Sequence, residues 1–160
     1  MKTKNPLLLL ITIALLSISS VSYGQGIVHT ITLNVETGKI VKQDVNHYCN
    51  FGQEVDISNE DFSITVDIGD TIVWQGVSLD SPSTDVVNIT SINYHGGTNI
   101  FGVNTLKGNG ESPEMVVGEA LYSTLGEGKK IYKYVIKFTV YNNGVKRNGT
   151  FQIDPKIEVN

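Results

Sequence analysis

The chain has few of the residues that carry most enzyme and metal chemistry. Its 160 residues include one cysteine, three histidines, two methionines and one tryptophan. Cys49 alone cannot form an internal disulfide, and the sequence holds no Cys-x-x-Cys, His-Glu-x-x-His or Gly-x-Ser-x-Gly motif. With so little material for acid–base chemistry near neutral pH, we expect no enzymatic activity, and we identify no cofactor site.

Positive charge and long apolar runs are also scarce. Twelve basic residues stand against 16 acidic ones, giving a formal net charge of −4 at pH 7. An acidic surface repels nucleic acid and anionic lipid, so we expect neither as a partner. The apolar run at residues 7–16 is shorter than the roughly 20 residues that a membrane-spanning helix needs. The sequence therefore predicts no membrane span.

This apolar run has the flanks of an export signal. Lys2 and Lys4 precede it, and Ser22 and Gly24 supply the small side chains that a signal peptidase reads. The three-part pattern predicts a secretory signal peptide at residues 1–24 and a single mature domain at residues 25–160. We therefore expect a secreted or periplasmic protein. Cleavage removes two lysines and no acidic residue, which makes the mature domain more acidic.

Alternation of apolar and polar side chains predicts that the mature domain is built of β-strands. A change of parity near residues 90–91 predicts a β-bulge, because a shift of one residue turns every later side chain to the other face. Pro155 predicts an edge or a kink in the last strand. Weaker patterns predict short strands at residues 40–45 and 115–117. The clearest alternation covers residues 27–35, 62–68, 132–140 and 151–159.

Turn signals divide these strands at short intervals. Asn143-Gly144 is typical of a two-residue hairpin, because both central residues of that turn need positive φ. No long helix is predicted, although residues 54–62 can hold one turn capped by Ser58 or Asn59. The spacing predicts an all-β, Greek-key β-sandwich with about seven or eight strands.

Two segments resemble the cupredoxin family. Residues 69–74 read Gly-Asp-Thr-Ile-Val-Trp, and a later strand runs from Tyr134 to Phe138. In cupredoxins a similar first run leads to a loop with the first copper-binding histidine. A strand like the second delivers a cysteine, and a histidine and often a methionine follow it. The resemblance covers about residues 62–159 and implies a cupredoxin-like Greek-key sandwich.

The sequence lacks the copper ligands that cupredoxins have at the corresponding positions. No histidine follows Trp74 in residues 75–83, Val140 and Tyr141 stand where the thiolate is expected, and residues 142–149 contain neither histidine nor methionine. A blue-copper site needs two imidazoles and a thiolate. The resemblance therefore implies the scaffold without the copper site, and no functional residue is carried over.

His47, Cys49 and His95 are the weak candidates for another metal site. If residues 46–50 are extended, the imidazole of His47 and the thiol of Cys49 point the same way, as copper or zinc ligands do. That pair is short of the three or four ligands a site needs. We favour Cys49 as a small buried residue, His95 as an exposed loop residue and His29 as a hydrogen-bonded core or edge residue.

The longest loops point to recognition. Residues 76–84 and 100–114 are rich in Ser, Asn and Gly, which suits binding more than catalysis. We expect an exported, non-enzymatic binding or accessory module that presents loops to a protein or glycan partner. The first alternative is a periplasmic copper or zinc carrier using His47 and Cys49. A weaker one is a small carboxylate-dependent hydrolase, which would need a cleft between two carboxylates.

Overall fold

The computed structural model describes residues 26–160, so the predicted signal peptide lies outside the described residues. The regular structure of this part of the chain is mostly β with little helix, which confirms the predicted all-β class. No helix in it is long and apolar enough to cross a membrane. The elements are β1 (Val28–Val35), a 3-10 turn (Lys42–Asp44), α1 (Val45–Tyr48), β2 (Cys49–Asn50), β3 (Ser63–Val66), β4 (Thr71–Ser78), β5 (Val86–Gly96), β6 (Thr105–Lys107), β7 (Val116–Glu119), β8 (Tyr132–Asn142), β9 (Val145–Lys146), β10 (Phe151–Ile153) and β11 (Lys156–Val159).

The predicted number of strands is too low. The described residues form eleven strands, whereas we expected about seven or eight. β2 and β9 contain two residues each and β6 contains three, too few for alternation to be visible. The segment expected to be the last strand is divided in two at Pro155, because proline offers no amide for the ladder.

The strands form two mixed sheets. The four-stranded sheet has the order β2-β1-β4-β7, with β1 and β4 parallel over eight residue pairs. β7 runs antiparallel to β4 and pairs only with Thr71–Trp74. The seven-stranded sheet has the order β3-β11-β8-β5-β6, and β9 and β10 also pair with β8. The arrangement is sandwich-like, with the apolar faces of both sheets buried in one core.

An aromatic cluster joins the two sheets. Trp74 on β4 and Tyr134 on β8 are fully buried. The Trp74 indole Nε1 donates a hydrogen bond to the Tyr134 hydroxyl at 3.2 Å, and the two rings meet edge to face at 5.8 Å. Phe101 packs against the same indole at 5.6 Å. The predicted alternation of β8 is confirmed, because Tyr132, Tyr134, Ile136, Phe138 and Val140 are all buried.

Three local predictions are confirmed. The β5–β8 register shifts between Ile89 and Ser91, where the bulge was expected. Asn143 and Gly144 have φ of 49° and 74° and form the two-residue turn between β8 and β9. Pro155 interrupts the strand, yet its carbonyl still accepts the amide of Tyr134 at 3.3 Å.

The region before β2 differs from the prediction. Residues 40–45 form no strand; Lys42–Asp44 is a 3-10 turn that leads directly into α1. Ile40 is buried, whereas Val41 is 42% exposed. The segment is therefore held to the core by one side chain, and it has no alternating buried face. The single turn expected near residues 54–62 is present, since Ser58 accepts the amides of Asp61 and Phe62.

Asp70 fastens the start of β1 to the turn before β4. Its carboxylate accepts the amide of Ile27 at 2.7 Å and the amide of Asp67 at 2.9 Å, and it lies 2.7 Å from His29 Nε2. The Asp67 amide, then His29 and the Ile27 amide, lower the pKa of Asp70. The prediction of a hydrogen-bonded His29 is confirmed.

The bond between the sheets can be tested by removing one hydroxyl. We expect Tyr134→Phe to lower the free energy of unfolding by about 1–3 kcal/mol, because the buried Trp74 indole loses its acceptor. Tyr132→Phe is the matched control, since Tyr132 packs in the same cluster without accepting that indole. Urea unfolding of the two variants measures the difference, and equal effects would contradict the assignment.

Candidate functional site

Two adjoining hollows open at one end of the sandwich. They have volumes of about 370 Å³ and 390 Å³ and share Thr84 and Val86. β4 and β8 end here, while β5 and β7 begin here. We call the combined space the loop cleft. It is lined by Gln75, Gly76, Val77, Ser78, Pro82, Ser83, Thr84, Asp85, Val86, Val87, Asn88, Gly110, Glu111, Ser112, Pro113, Glu114, Met115, Tyr141 and Gly144.

The two loops predicted to carry recognition meet in this cleft. The first contributes residues 82–85 and the second contributes residues 110–115. The predicted bounds are partly wrong, because β4 continues through Ser78 and the second loop contains β6. The cleft therefore combines loop residues with the end of a strand.

Asp85 is the buried anchor of the cleft. It is 6% exposed, and its Oδ1 accepts the amide of Asn143 at 2.8 Å. Its Oδ2 accepts the Asn142 side-chain amide at 2.7 Å and the Thr37 hydroxyl. The Asn143 amide, then the Thr37 hydroxyl and the Asn142 amide, hold the pKa of Asp85 below its ordinary value. This carboxylate ties the first loop to the β8–β9 turn and to the segment after β1.

Asn88 is the second anchor. Its Oδ1 accepts the amide of Glu114 at 2.7 Å, and the carbonyl of Glu114 accepts the amide of Ile89 at 2.8 Å. Both bonds hold Glu114 on β5, in the seven-stranded sheet. β7 starts two residues later, at Val116, in the four-stranded sheet. The chain therefore crosses between the sheets at this point.

That crossing leaves part of β4 with a neighbour on one side only. β1 pairs with β4 from Thr71 to Ser78, whereas β7 pairs only from Thr71 to Trp74. Among the described residues, no strand continues the ladder beside residues 75–78 on the β7 side. Because these residues line the loop cleft, the cleft has the open edge of a strand as one wall.

The charge in the cleft has one sign. Asp85, Glu111 and Glu114 carry carboxylates, and none of the described lining residues is Lys, Arg or His. Asp85 is occupied by its hydrogen bonds, so Glu111 and Glu114 supply the acidic groups nearest to solvent. Tyr141 adds an aromatic wall, and the Lys146 Nζ lies 6.0 Å from its ring centroid, beyond the cleft. The site favours neutral or cationic ligands over anions.

Among the described residues, the predicted metal candidates do not form a group of three ligands. Residues 46–50 are not extended, because α1 contains His47 and ends at Tyr48. The condition on which the shared face depended is therefore not met; His47 is exposed and Cys49 is 4% exposed. His95 is exposed, as expected, but it lies within β5 near its other end and not in a loop. Within residues 26–160, no three His, Cys, Asp or Glu side chains are grouped as a metal site requires.

His47 and Cys49 border a separate hollow of about 730 Å³ formed with residues 50–60. Its polar groups are bonded to each other. Asn59 donates to the carbonyl of Cys49 at 2.9 Å and accepts from the Gln53 side chain at 2.8 Å. These bonds close the loop on itself.

Sequence reasoning did not identify Asp85 or Asn88. Their partners are distant in the chain: Thr37 lies 48 positions from Asp85, and Glu114 lies 26 positions from Asn88. The sequence contained one weak signal. Residues 81–85 read Ser-Pro-Ser-Thr-Asp, a composition that is typical of turns, which indicated a turn at Asp85 but not its bonding partners.

Comparison with known proteins gives a structural match. No protein-family profile matches the sequence, and no curated protein matches it. The solved structure of an inclusion body protein, PixA, from Burkholderia cenocepacia is similar, with a TM-score of 0.60 and 14% sequence identity. The match covers 87% of this chain and 99% of that chain. At this identity the likeness concerns the fold alone.

The Asp85 anchor predicts a pH-dependent stability difference. The Thr84 hydroxyl is a fourth donor to Asp85, at 3.4 Å from Oδ1. We expect Asp85→Asn to lower the melting temperature at pH 7, because an amide cannot accept all four donors around this position. A carboxylate with a lowered pKa stabilises the fold above its unfolded pKa of about 3.9, and this contribution is lost as the pH falls through the folded value. Urea unfolding from pH 7 to acid should show the gap between wild type and variant closing. A gap that stays constant contradicts the account.

Burial of Cys49 predicts a slow thiol. Loss of water, and then the negative charge of Glu36, raise the pKa of Cys49 to about 12. Since the thiolate is the reactive form, we expect a disulfide reagent to react on the order of a hundredfold or more slowly with the native protein than in urea. The release of coloured thiol measures both rates, and similar rates would show that Cys49 is accessible.

Proposed function

We propose that this chain is an exported, non-enzymatic binding module that holds a protein or glycan partner in the loop cleft. The observation that carries the proposal is the convergence of both loops on a cleft with a strand edge, the exposed carboxylate of Glu111 and the ring of Tyr141. Such a mixture of apolar wall and a few polar groups is typical of binding sites.

The anchors of the cleft favour recognition over catalysis. Asp85 is the most buried carboxylate of the cleft, and its oxygens are already engaged by four donors. A group in this state orders the loops around it and does not accept a substrate proton. A preorganised site loses less conformational entropy when a ligand binds.

Export and the cupredoxin-like topology belong to the same proposal. Lys2, Lys4 and the apolar run at residues 7–16 support a signal peptide. The Gly-Asp-Thr-Ile-Val-Trp run supports a cupredoxin-like Greek-key scaffold, because it forms a turn at Gly69 and then the buried strand of Trp74. On this scaffold the functional site is the loop cleft, whereas in cupredoxins it is the metal centre.

The binding role can be tested by filling the cleft. The purified mature domain is screened against a display library of random linear peptides and an array of neutral and amino glycans. We expect at least one probe to bind. Met115→Trp should lower the affinity for that probe roughly tenfold or more, because the indole occupies the hollow. Ser83→Trp blocks the same hollow from an exposed loop position and serves as the second variant.

Leu121→Trp is the matched control. Leu121 is 44% exposed and follows the end of β7, away from the cleft, so an added indole there should leave binding unchanged. Melting temperatures establish that each variant is folded. Failure of both panels to yield a probe, or equal binding by all variants, would overturn the proposed function.

A further inference from the structure

Resting on the proposed function, we propose that the ligand of the loop cleft is an extended, basic peptide segment of a protein partner. The peptide adds as a strand to the open edge of β4. Its backbone pairs with Gly76 and Ser78, and its basic side chains face Glu111 and Glu114.

The ladder determines which groups of β4 face the cleft. Thr71 donates its amide to Ile27 at 2.9 Å, and Leu79 donates its amide to Val35 at 2.8 Å. Between these two bonds the parallel register with β1 is unbroken. Successive backbone groups of a strand point to opposite sides, so the odd-numbered residues face β1 and the even-numbered ones face the other edge. The amides and carbonyls of Gly76 and Ser78 therefore point towards the cleft.

The local chain keeps this edge from being covered. Glu114 would stand opposite Gly76 if β7 continued, but both of its backbone groups are bonded to β5. On its core side Gly76 lies against Val87: an added Cβ would come within 2.3 Å of a Val87 methyl carbon. A side chain at residue 76 would therefore clash with β5, and Val86 and Val87 of β5 line the cleft beside it.

An unpaired strand edge is a template for another strand, and peptide-binding domains use such edges for recognition. Main-chain bonds supply affinity in this mode, and pockets for alternate side chains supply specificity. The walls beside the edge contain Pro82, Val86, Pro113 and Met115. Alternate positions of the peptide should therefore carry apolar side chains that enter the cleft.

Charge selects among extended peptides. Glu111 is exposed and Glu114 is half-buried, and no cation lines the described cleft to balance them. An acidic peptide would be repelled, whereas a Lys or Arg next to the apolar positions would be attracted. A glycan could use the same carboxylates, but it has no regular series of amides to match the strand edge.

The experiment uses a linear peptide selected from the random display library by the mature domain. Each of its backbone amides is N-methylated in turn, and the affinity of every derivative is measured. A peptide paired as a strand places alternate amides towards β4. We expect methylation at every second position to weaken binding roughly tenfold or more across the cleft, while the intervening positions change it little.

Charge reversal supplies the second readout. Glu111→Lys should weaken a basic peptide several-fold, with the loss shrinking at high salt. Glu127→Lys is the matched control, because Glu127 is exposed in the turn before β8, at the other end of that strand.

The outcomes separate the two proposals. An alternating methylation profile with the Glu111 effect supports strand addition. If a selected peptide shows no alternating methylation profile, strand addition is overturned. It is also overturned if only a glycan binds and the cleft-filling variants block that glycan. In both cases the proposal of a binding module still stands. Failure of every peptide and glycan probe overturns both proposals.

Discussion

The capture of Glu114 by β5 is the constraint on which the loop cleft depends. Its amide and carbonyl are held by Asn88 and Ile89, so the chain cannot also follow β4. β7 therefore begins late, and within residues 26–160 the last residues of β4 keep β1 as their one strand neighbour. The two hydrogen bonds that hold Glu114 on the seven-stranded sheet therefore leave the last residues of β4, in the four-stranded sheet, with an open edge.

Asp85 gives the opening a fixed shape. A buried carboxylate is costly unless its charge is satisfied, and here donors from three separate segments satisfy it. The same bonds that stabilise the ionised form hold the first loop against the β8–β9 turn. The stability of the fold and the geometry of the cleft therefore both depend on the ionised Asp85 carboxylate. Its protonation in acid should weaken both. Glu111 is exposed and directs its charge at solvent, whereas the half-buried Glu114 carboxylate also accepts the amide of Gly110 at 3.3 Å.

The sequence predicted what local patterns control. Alternation identified the buried face of β8, the parity change placed the bulge after Ile89, and Asn143-Gly144 located the hairpin. Long-range pairing could not be predicted in the same way. A two-residue strand such as β2 has no pattern, and it forms because β1 offers an edge to Cys49 and Asn50. The late start of β7 likewise depends on a contact between residues 26 positions apart.

Residue-resolved amide hydrogen exchange of the free protein tests the central claim most directly. If the last half of β4 has a partner on one side only, the amides of Gln75 and Val77, which face β1, will be protected, and those of Gly76 and Ser78 will exchange much faster. Equal protection of all four amides would show that the edge is closed. The cleft would then offer no template for a strand.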